Sequence, residues 1–267
     1  MDSLDFDKPP EKKAPELEKK PLSSPAPDPA PAVVYDRRTE AKPMVSFLVP
    51  VFNERAFIRK CLDRLAAVPL SKEIVIVDDG STDRTRDFLA GNPVDGAVLL
   101  FHAKNQGKGG ALRTALTKAN GAYSAVQDAD LEYDPGEYVD LLKYARQNNI
   151  KVVFGSRFLK SNPHPYRRFL WGNKALTAWI NFLCASSYTD CYTGYKLMPT
   201  AVWRELGLVS RGFEVEAEIC VKVAHRRHSF AELPISYAPR RVEEGKKISW
   251  KDAVRGLRAA RFFAYAK

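Results

Sequence analysis

The chain has 267 residues, and 42 Lys and Arg against 32 Asp and Glu give a formal net charge of +10. At 45% apolar and 28% charged residues its composition is that of a globular protein, with room for one large α/β domain or two small ones. No apolar run approaches the roughly 20 residues that cross a bilayer, no basic start with an apolar run opens the chain, and the four cysteines lack CxxC spacing. A transmembrane helix, a secretion signal and a zinc site are therefore not expected.

Residues 1–43 hold nine of the 18 prolines and no glycine. Such a Pro, Lys, Glu and Ala mixture buries too little to offset its ordering entropy, so it reads as a disordered tail with order beginning at Met44. The tail carries one more acid than base, so the whole basic excess lies on residues 44–267. An anionic partner is implied: phosphate, nucleic acid or a lipid surface.

From Met44 strands and helices alternate. Val45–Val51 (VSFLVPV) reads as a strand and Arg55–Val68 as a helix. Glu73–Asp78 (EIVIVD) is the second strand, with good cap chemistry for a helix in Ser81-Thr82-Asp83. Ala97–Phe101, Tyr123–Gln127 and Lys151–Gly155 read as further strands, with helices over Gly107–Ala119 and Gly136–Gln147 between them. Continuous apolar strands separated by helices imply a mainly parallel, Rossmann-like sheet covered on both faces. Helices over Pro165–Leu183 and Glu214–Arg227, a strand over Phe230–Tyr237 and a basic helix from about Ser249 complete the pattern.

Ligands of such sheets bind beyond the carboxyl ends of the strands, where this chain is polar. Strand one ends in Pro50-Val51-Phe52-Asn53-Glu54 and strand two in Val77-Asp78-Asp79-Gly80-Ser81-Thr82-Asp83. Lys104-Asn105-Gln106-Gly107-Lys108-Gly109-Gly110 is glycine-rich before a helix, which suits close approach to phosphate, yet it is neither a Walker A loop nor GxGxxG. Strand four ends in Gln127-Asp128-Ala129-Asp130-Leu131-Glu132, hard oxygen ligands suited to Mg²⁺ or Mn²⁺.

Taken in order, these motifs resemble the GT-A fold glycosyltransferases of family 2. Gly155-Ser156-Arg157, Thr193-Gly194-Tyr195-Lys196, Gly212-Phe213-Glu214 with Glu218, and the run from Pro239 to Ile248 are similar to those of polyprenyl- and dolichyl-phosphate sugar synthases. The resemblance covers roughly Val45 to Trp250. It implies an inverting transfer of mannose or glucose from GDP-mannose or UDP-glucose to a polyprenyl or dolichyl phosphate. By that resemblance Pro50, Phe52, Glu54 and Asp79 line the nucleoside pocket, and Asp128, Asp130 and Glu132 hold the metal. Lys196 and Arg240 or Arg241 contact the donor diphosphate, and Lys108 binds the nucleotide sugar. Arg157, helped by Arg167 or Arg168, binds the acceptor phosphate.

A lipid phosphate is already anionic and needs no general base, whereas a hydroxyl acceptor on a glycolipid, glycan or protein would need one. Asp190 lies where the family keeps that base, and equally it reads as a cap or a partner for Lys196. The expected domains are the tail 1–43, a transferase domain 44–239, and a basic loop with an amphipathic helix 240–267. The last unit carries nine Lys or Arg against three acids, which suits an anionic membrane surface. The resemblance thus implies a peripheral enzyme on the cytoplasmic membrane face, with a separate membrane protein as a further candidate partner. No RNP-type or helix-turn-helix pattern supports a nucleic-acid partner.

Overall fold

The computed structural model describes residues 30–39, 42–163, 166–240 and 250–266, apart from the side chains of residues 167–169 and 250. Eight strands form one sheet in the order β1-β4-β3-β2-β5-β7-β6-β8. Central β2 (Val45–Val51) pairs in parallel with β3 (Lys72–Asp78) and with β5 (Tyr123–Val126), and β3 pairs in parallel with β4 (Ala97–Phe101). The antiparallel β7 (Lys196–Pro199) joins β5 to β6 (Val152–Ser156), which pairs in parallel with β8 (Phe230–Pro234).

The apolar runs are continuous because both faces of the sheet are covered. Phe47, Val49, Ile74 and Ile76 face one core cluster, with Ile58 and Leu65 of α1 (Ile58–Ala67), Leu89 of α2 (Thr85–Gly91) and Leu141 of α4 (Tyr138–Gln147). Leu48, Val75 and Val77 face the other, with Leu112 of α3 (Lys108–Lys118), Ile180 of α5 (Arg167–Cys184), Trp203 of α6 (Thr200–Glu205) and Ile219 of α7 (Val215–His225). Each central strand therefore alternates between two cores, and its register carries every strand-end motif to the same edge.

Two expected boundaries are corrected. Order begins before Met44, because Ala32–Asp36 (AVVYD) forms β1, antiparallel to β4. Those residues are β-branched or aromatic within a proline-rich stretch, and Arg38 beside them hydrogen-bonds the Lys118 carbonyl (2.9 Å) and pairs with buried Glu73 (3.3 Å). Nor is Arg240 a domain boundary. Ala260 and Phe263 of α8 (Trp250–Tyr265) belong to the same core as α3 and α7. A chain starting at residue 30, which keeps β1 and Arg38, serves as the reference. One starting at residue 43 strips Glu73 of a cation and should lose about 1–3 kcal/mol, several degrees by calorimetry.

The sequence reading contained neither β7 nor α6. The helices otherwise fall within a few residues of their expected ends. Among the described residues no helix is long and apolar enough to cross a membrane.

Candidate active site

The strand-end loops are sewn to one another before any ligand is considered. The amide of Asn53 donates to the Ser81 hydroxyl (2.9 Å), that of Glu54 to Thr85 Oγ1 (3.0 Å), and that of Thr82 to Asn53 Oδ1 (2.7 Å). Asn53 has a left-handed backbone, φ 51°, which Asn adopts more readily than most other residues with a side chain. Behind this seam lies a cavity of about 920 Å³, lined at one end by Pro50, Phe52, Glu54, Asp79 and Asn105. Apart from Asn105, these are the residues expected around the nucleoside.

Asp79 also clamps the glycine-rich loop. Its two carboxylate oxygens accept from the amides of Gln106 and Gly107, each at 2.8 Å, and Oδ1 sits 2.6 Å from His102 Nδ1. With Nδ1 donating to Asp79, His102 Nε2 accepts from the Thr114 hydroxyl at 2.8 Å. Gly107 (φ 84°) has the Arg211 carbonyl against it, so no side chain fits there. The loop thereby delivers Lys108 to the cavity wall. His102 was missed in the sequence, although it directly follows a strand as the other site motifs do.

The acid pair stands at the centre of the cavity. Lys108 Nζ contacts Asp128 at 2.8 Å, and Gly194 leaves its Cβ position to the Asp128 carboxylate. Asp130 Oδ2 meets Arg240 at 3.3 Å, and the same guanidinium pairs with Glu54 at 2.9 Å. Burial, with Asp128 and Glu132 close by, pushes the Asp130 carboxyl up to about 7 against the pull of Arg240.

Three assignments change on this geometry. Glu132 does not stand free beside the acid pair. Its oxygens accept from the Tyr237 hydroxyl and the Arg240 amide, each at 2.9 Å, so it pins the strap 237–240. Lys196 is fully buried and does not line the cavity. Its ammonium bonds Glu216 and the carbonyls of Thr193 and Cys191, which uses its three donors. Asp190, also fully buried, receives Nε and Nη2 of Arg157 at 2.7 and 2.8 Å, and Asn173 at 3.1 Å. Burial alone would raise its carboxyl, but the Arg157 charge and these hydrogen bonds hold it below the usual carboxylate range. It is a partner for Arg157 and not for Lys196.

Arg157 itself lines the cavity, with Tyr237 under its guanidinium at 5.1 Å. Around it the wall turns apolar: Phe158, Tyr166, Leu170, Leu176, Tyr192 and Phe213. The backbone of Arg168 belongs to α5, while the side chains of Arg167 and Arg168, and all of Arg241, lie outside the described residues. The cavity thus joins the strand-end motifs and the acid pair to a largely apolar wall, where Arg157 is held in a fixed pose and Asn173, Asp252 and Arg255 are the other polar side chains.

Residues 46–206 match the model of the family described as Glycosyl transferase family 2. The chain belongs to that family. A low-salt glycan biosynthesis hexosyltransferase of Haloferax volcanii is 29% identical over 227 residues, 82% of this chain and 54% of that protein. A dolichol-phosphate mannosyltransferase of Pyrococcus furiosus is 27% identical over 212 residues, 76% of this chain and 58% of that protein. This family 2 chain therefore spans little more than half the length of these relatives. Its fold is that of the GT-A enzymes. It superposes on glucosyl-3-phosphoglycerate synthase from Mycobacterium tuberculosis, solved with Mn²⁺, UDP-glucose and phosphoglyceric acid, with a TM-score of 0.62 and 17% identity, covering 84% of this chain and 81% of that one.

A divalent cation fits the acid pair of this family 2 chain. Asp128 and Asp130 already attract two cationic side chains, and burial together with repulsion from Asp128 and Glu132 raises the Asp130 carboxyl. Among the described residues no three His, Cys, Asp or Glu side chains group to hold an ion unaided. Mg²⁺ in general takes one or two carboxylates and completes its shell with water and substrate phosphate.

Proposed function

We propose that this protein transfers a hexose, mannose or glucose, from GDP-mannose or UDP-glucose to a polyprenyl or dolichyl phosphate at a membrane surface. The observation that carries the reading is Arg157, clamped by buried Asp190 on the largely apolar wall of the cavity. A guanidinium held by a bidentate carboxylate is a fixed receptor for a phosphate. The hydroxyl-acceptor alternative needs a base, and Asp190 is committed elsewhere.

Asp128 and Asp130 would hold Mg²⁺ or Mn²⁺, which supplies Lewis-acid neutralisation of the departing diphosphate. The side chains on the page account for the rest. Pro50, Phe52 and Glu54 grip the nucleoside. Lys108 and Arg240 bring positive charge to the diphosphate, where negative charge grows as its bond to the anomeric carbon breaks. Arg157 aims the acceptor's phosphate oxygen at that carbon from the opposite side. The new C–O bond forms as the old one breaks, its electron pair leaves on the nucleoside diphosphate, and the configuration inverts. No proton has to be removed.

The membrane reading rests on α5 and α8. Helix α5 has no acidic residue and exposes Trp171 (60%) and Phe182 (77%); α8 exposes Leu257 and Tyr265 beside Arg255, Arg258 and Arg261. Both helices line the cavity, α5 through Leu170, Asn173 and Leu176 and α8 through Asp252, Ala253 and Arg255. An aromatic and cationic face suits an anionic bilayer. Sedimentation with vesicles should show binding to anionic lipid and little to neutral lipid, with the bound fraction falling in Trp171→Ser/Phe182→Ser.

The deciding experiment offers labelled GDP-mannose and UDP-glucose separately, with Mn²⁺ and a short polyprenyl phosphate. A lipid product labile to mild acid is expected from one donor. Transfer to neutral hydroxyl acceptors alone would overturn the phosphate-acceptor reading.

A further inference from the structure

Glu216 lies on α7, buried, and no motif assigned it a role. One of its oxygens bonds Lys108 at 2.9 Å and the other bonds Lys196. Lys108 in turn contacts Asp128 at 2.8 Å. The four groups form a line of alternating charge, Asp128, Lys108, Glu216 and Lys196, running from the cavity into the core. Resting on the donor reading above, we infer that Glu216 is the residue that positions Lys108 against the donor diphosphate, and that Lys196 anchors Glu216 from below.

The argument turns on what holds Lys108 once a ligand arrives. Of its two carboxylate partners, Asp128 is the one a cation bound with the donor would engage. A lysine held by Asp128 alone would then lose its anchor as the diphosphate entered. Glu216 is fixed independently of the cavity, because Lys196 has spent its donors on Glu216 and two carbonyls and cannot turn to a ligand. The backbone on the other side is fixed too, since Asp79 holds the amides of Gln106 and Gly107. Lys108 is thus gripped at both ends. With Asp128 and Glu216 as its partners among the described residues, one of its three N–H donors is left for phosphate. Lys196 also explains how a carboxylate persists so deep in the fold: burial opposes its charge, and the two ammonium groups outweigh that.

Calorimetric titration of GDP and of UDP, each with Mn²⁺, into the wild-type chain and variants tests this. Wild type should bind one of the two. Lys108→Met and Glu216→Gln should each weaken that nucleotide about 10-fold or more, and the double variant should be no weaker than Lys108→Met, since both changes remove one interaction. A merely structural Glu216 would lower the unfolding midpoint and leave nucleotide affinity alone, or its effect would multiply with that of Lys108→Met. Either result overturns the inference. Should Glu216→Gln fail to fold, Glu216→Asp, which keeps the charge and shortens the reach, is read by the same cycle. Wild type binding neither nucleotide would overturn the donor reading and this inference with it, whereas binding indifferent to Glu216 overturns the inference alone.

Discussion

Asp130→Asn should reduce metal-dependent transfer by about 10³-fold or more, equivalent to roughly 4 kcal/mol of transition-state stabilisation. Asn preserves the size of the side chain and can still accept from the Glu132 amide, which bonds Asp130 Oδ1 at 3.1 Å. What it removes is the charge that pairs with a cation, leaving Asp128 alone and already shared with Lys108. Arg240 would keep Glu54 as a partner, so the strap need not collapse and the loss should appear in turnover more than in folding. The same carboxyl predicts a pH dependence with a definite sign. Its pKa, about 7, lies above the ordinary value, so below about pH 7 it is mostly protonated and must release a proton to take a cation. Apparent Mn²⁺ affinity should therefore fall as pH drops from about 8 to 6, approaching tenfold per unit at the acid end, and excess Mn²⁺ should restore activity. Mn²⁺ titrations followed by electron paramagnetic resonance would check this. An affinity flat over that range would remove Asp130 from the metal site.

Much of this geometry was legible in the sequence because it sits at strand ends. Parallel strands carry their C-terminal residues to one edge, so a polar motif closing an apolar run has to face the same cavity as its neighbours. Phe52, Glu54, Asp79, Lys108, Asp128 and Asp130 converge for that reason. The errors arise where an ionisable side chain serves the fold. Lys196 opens β7, a four-residue strand too short to read from periodicity, and pairing with Phe154 places it inside the sheet. Glu132 follows Leu131, whose left-handed backbone (φ 63°) redirects the chain towards the strap, a turn its side chain gives no reason to expect. Glu216 was missed although its surroundings carried a signal. It interrupts an apolar helix buried throughout its first two turns, and a charge there needs a partner from elsewhere. β1 was hidden by composition, since the prolines around AVVYD outweigh five residues that favour a strand.

Arg157 carries the second large effect, and comparing it with Asp190 separates two chemistries. Arg157→Ala should reduce transfer to a lipid phosphate by about 10²–10³-fold, mostly as a higher KM for acceptor, with donor affinity unchanged. Asp190→Asn retains a hydrogen-bonding group of the same shape but leaves a buried arginine without its counter-charge. Its first consequence is on stability, a loss of about 3–5 kcal/mol as for other broken buried pairs, moderated by the partial exposure of Arg157 (12%). On activity the expected loss is smaller, about tenfold, because Arg157 keeps its charge and its contacts with Tyr237 and Phe158. A general base would behave otherwise. Its removal would cost about 10²–10⁴-fold in kcat, with little change in KM, and would abolish the acid limb of the pH profile. Measuring kcat and KM for both variants across pH therefore decides the acceptor: an effect on acceptor KM assigns Asp190 to holding Arg157, and the loss of a kinetic ionisation would return it to the hydroxyl chemistry that its burial argues against.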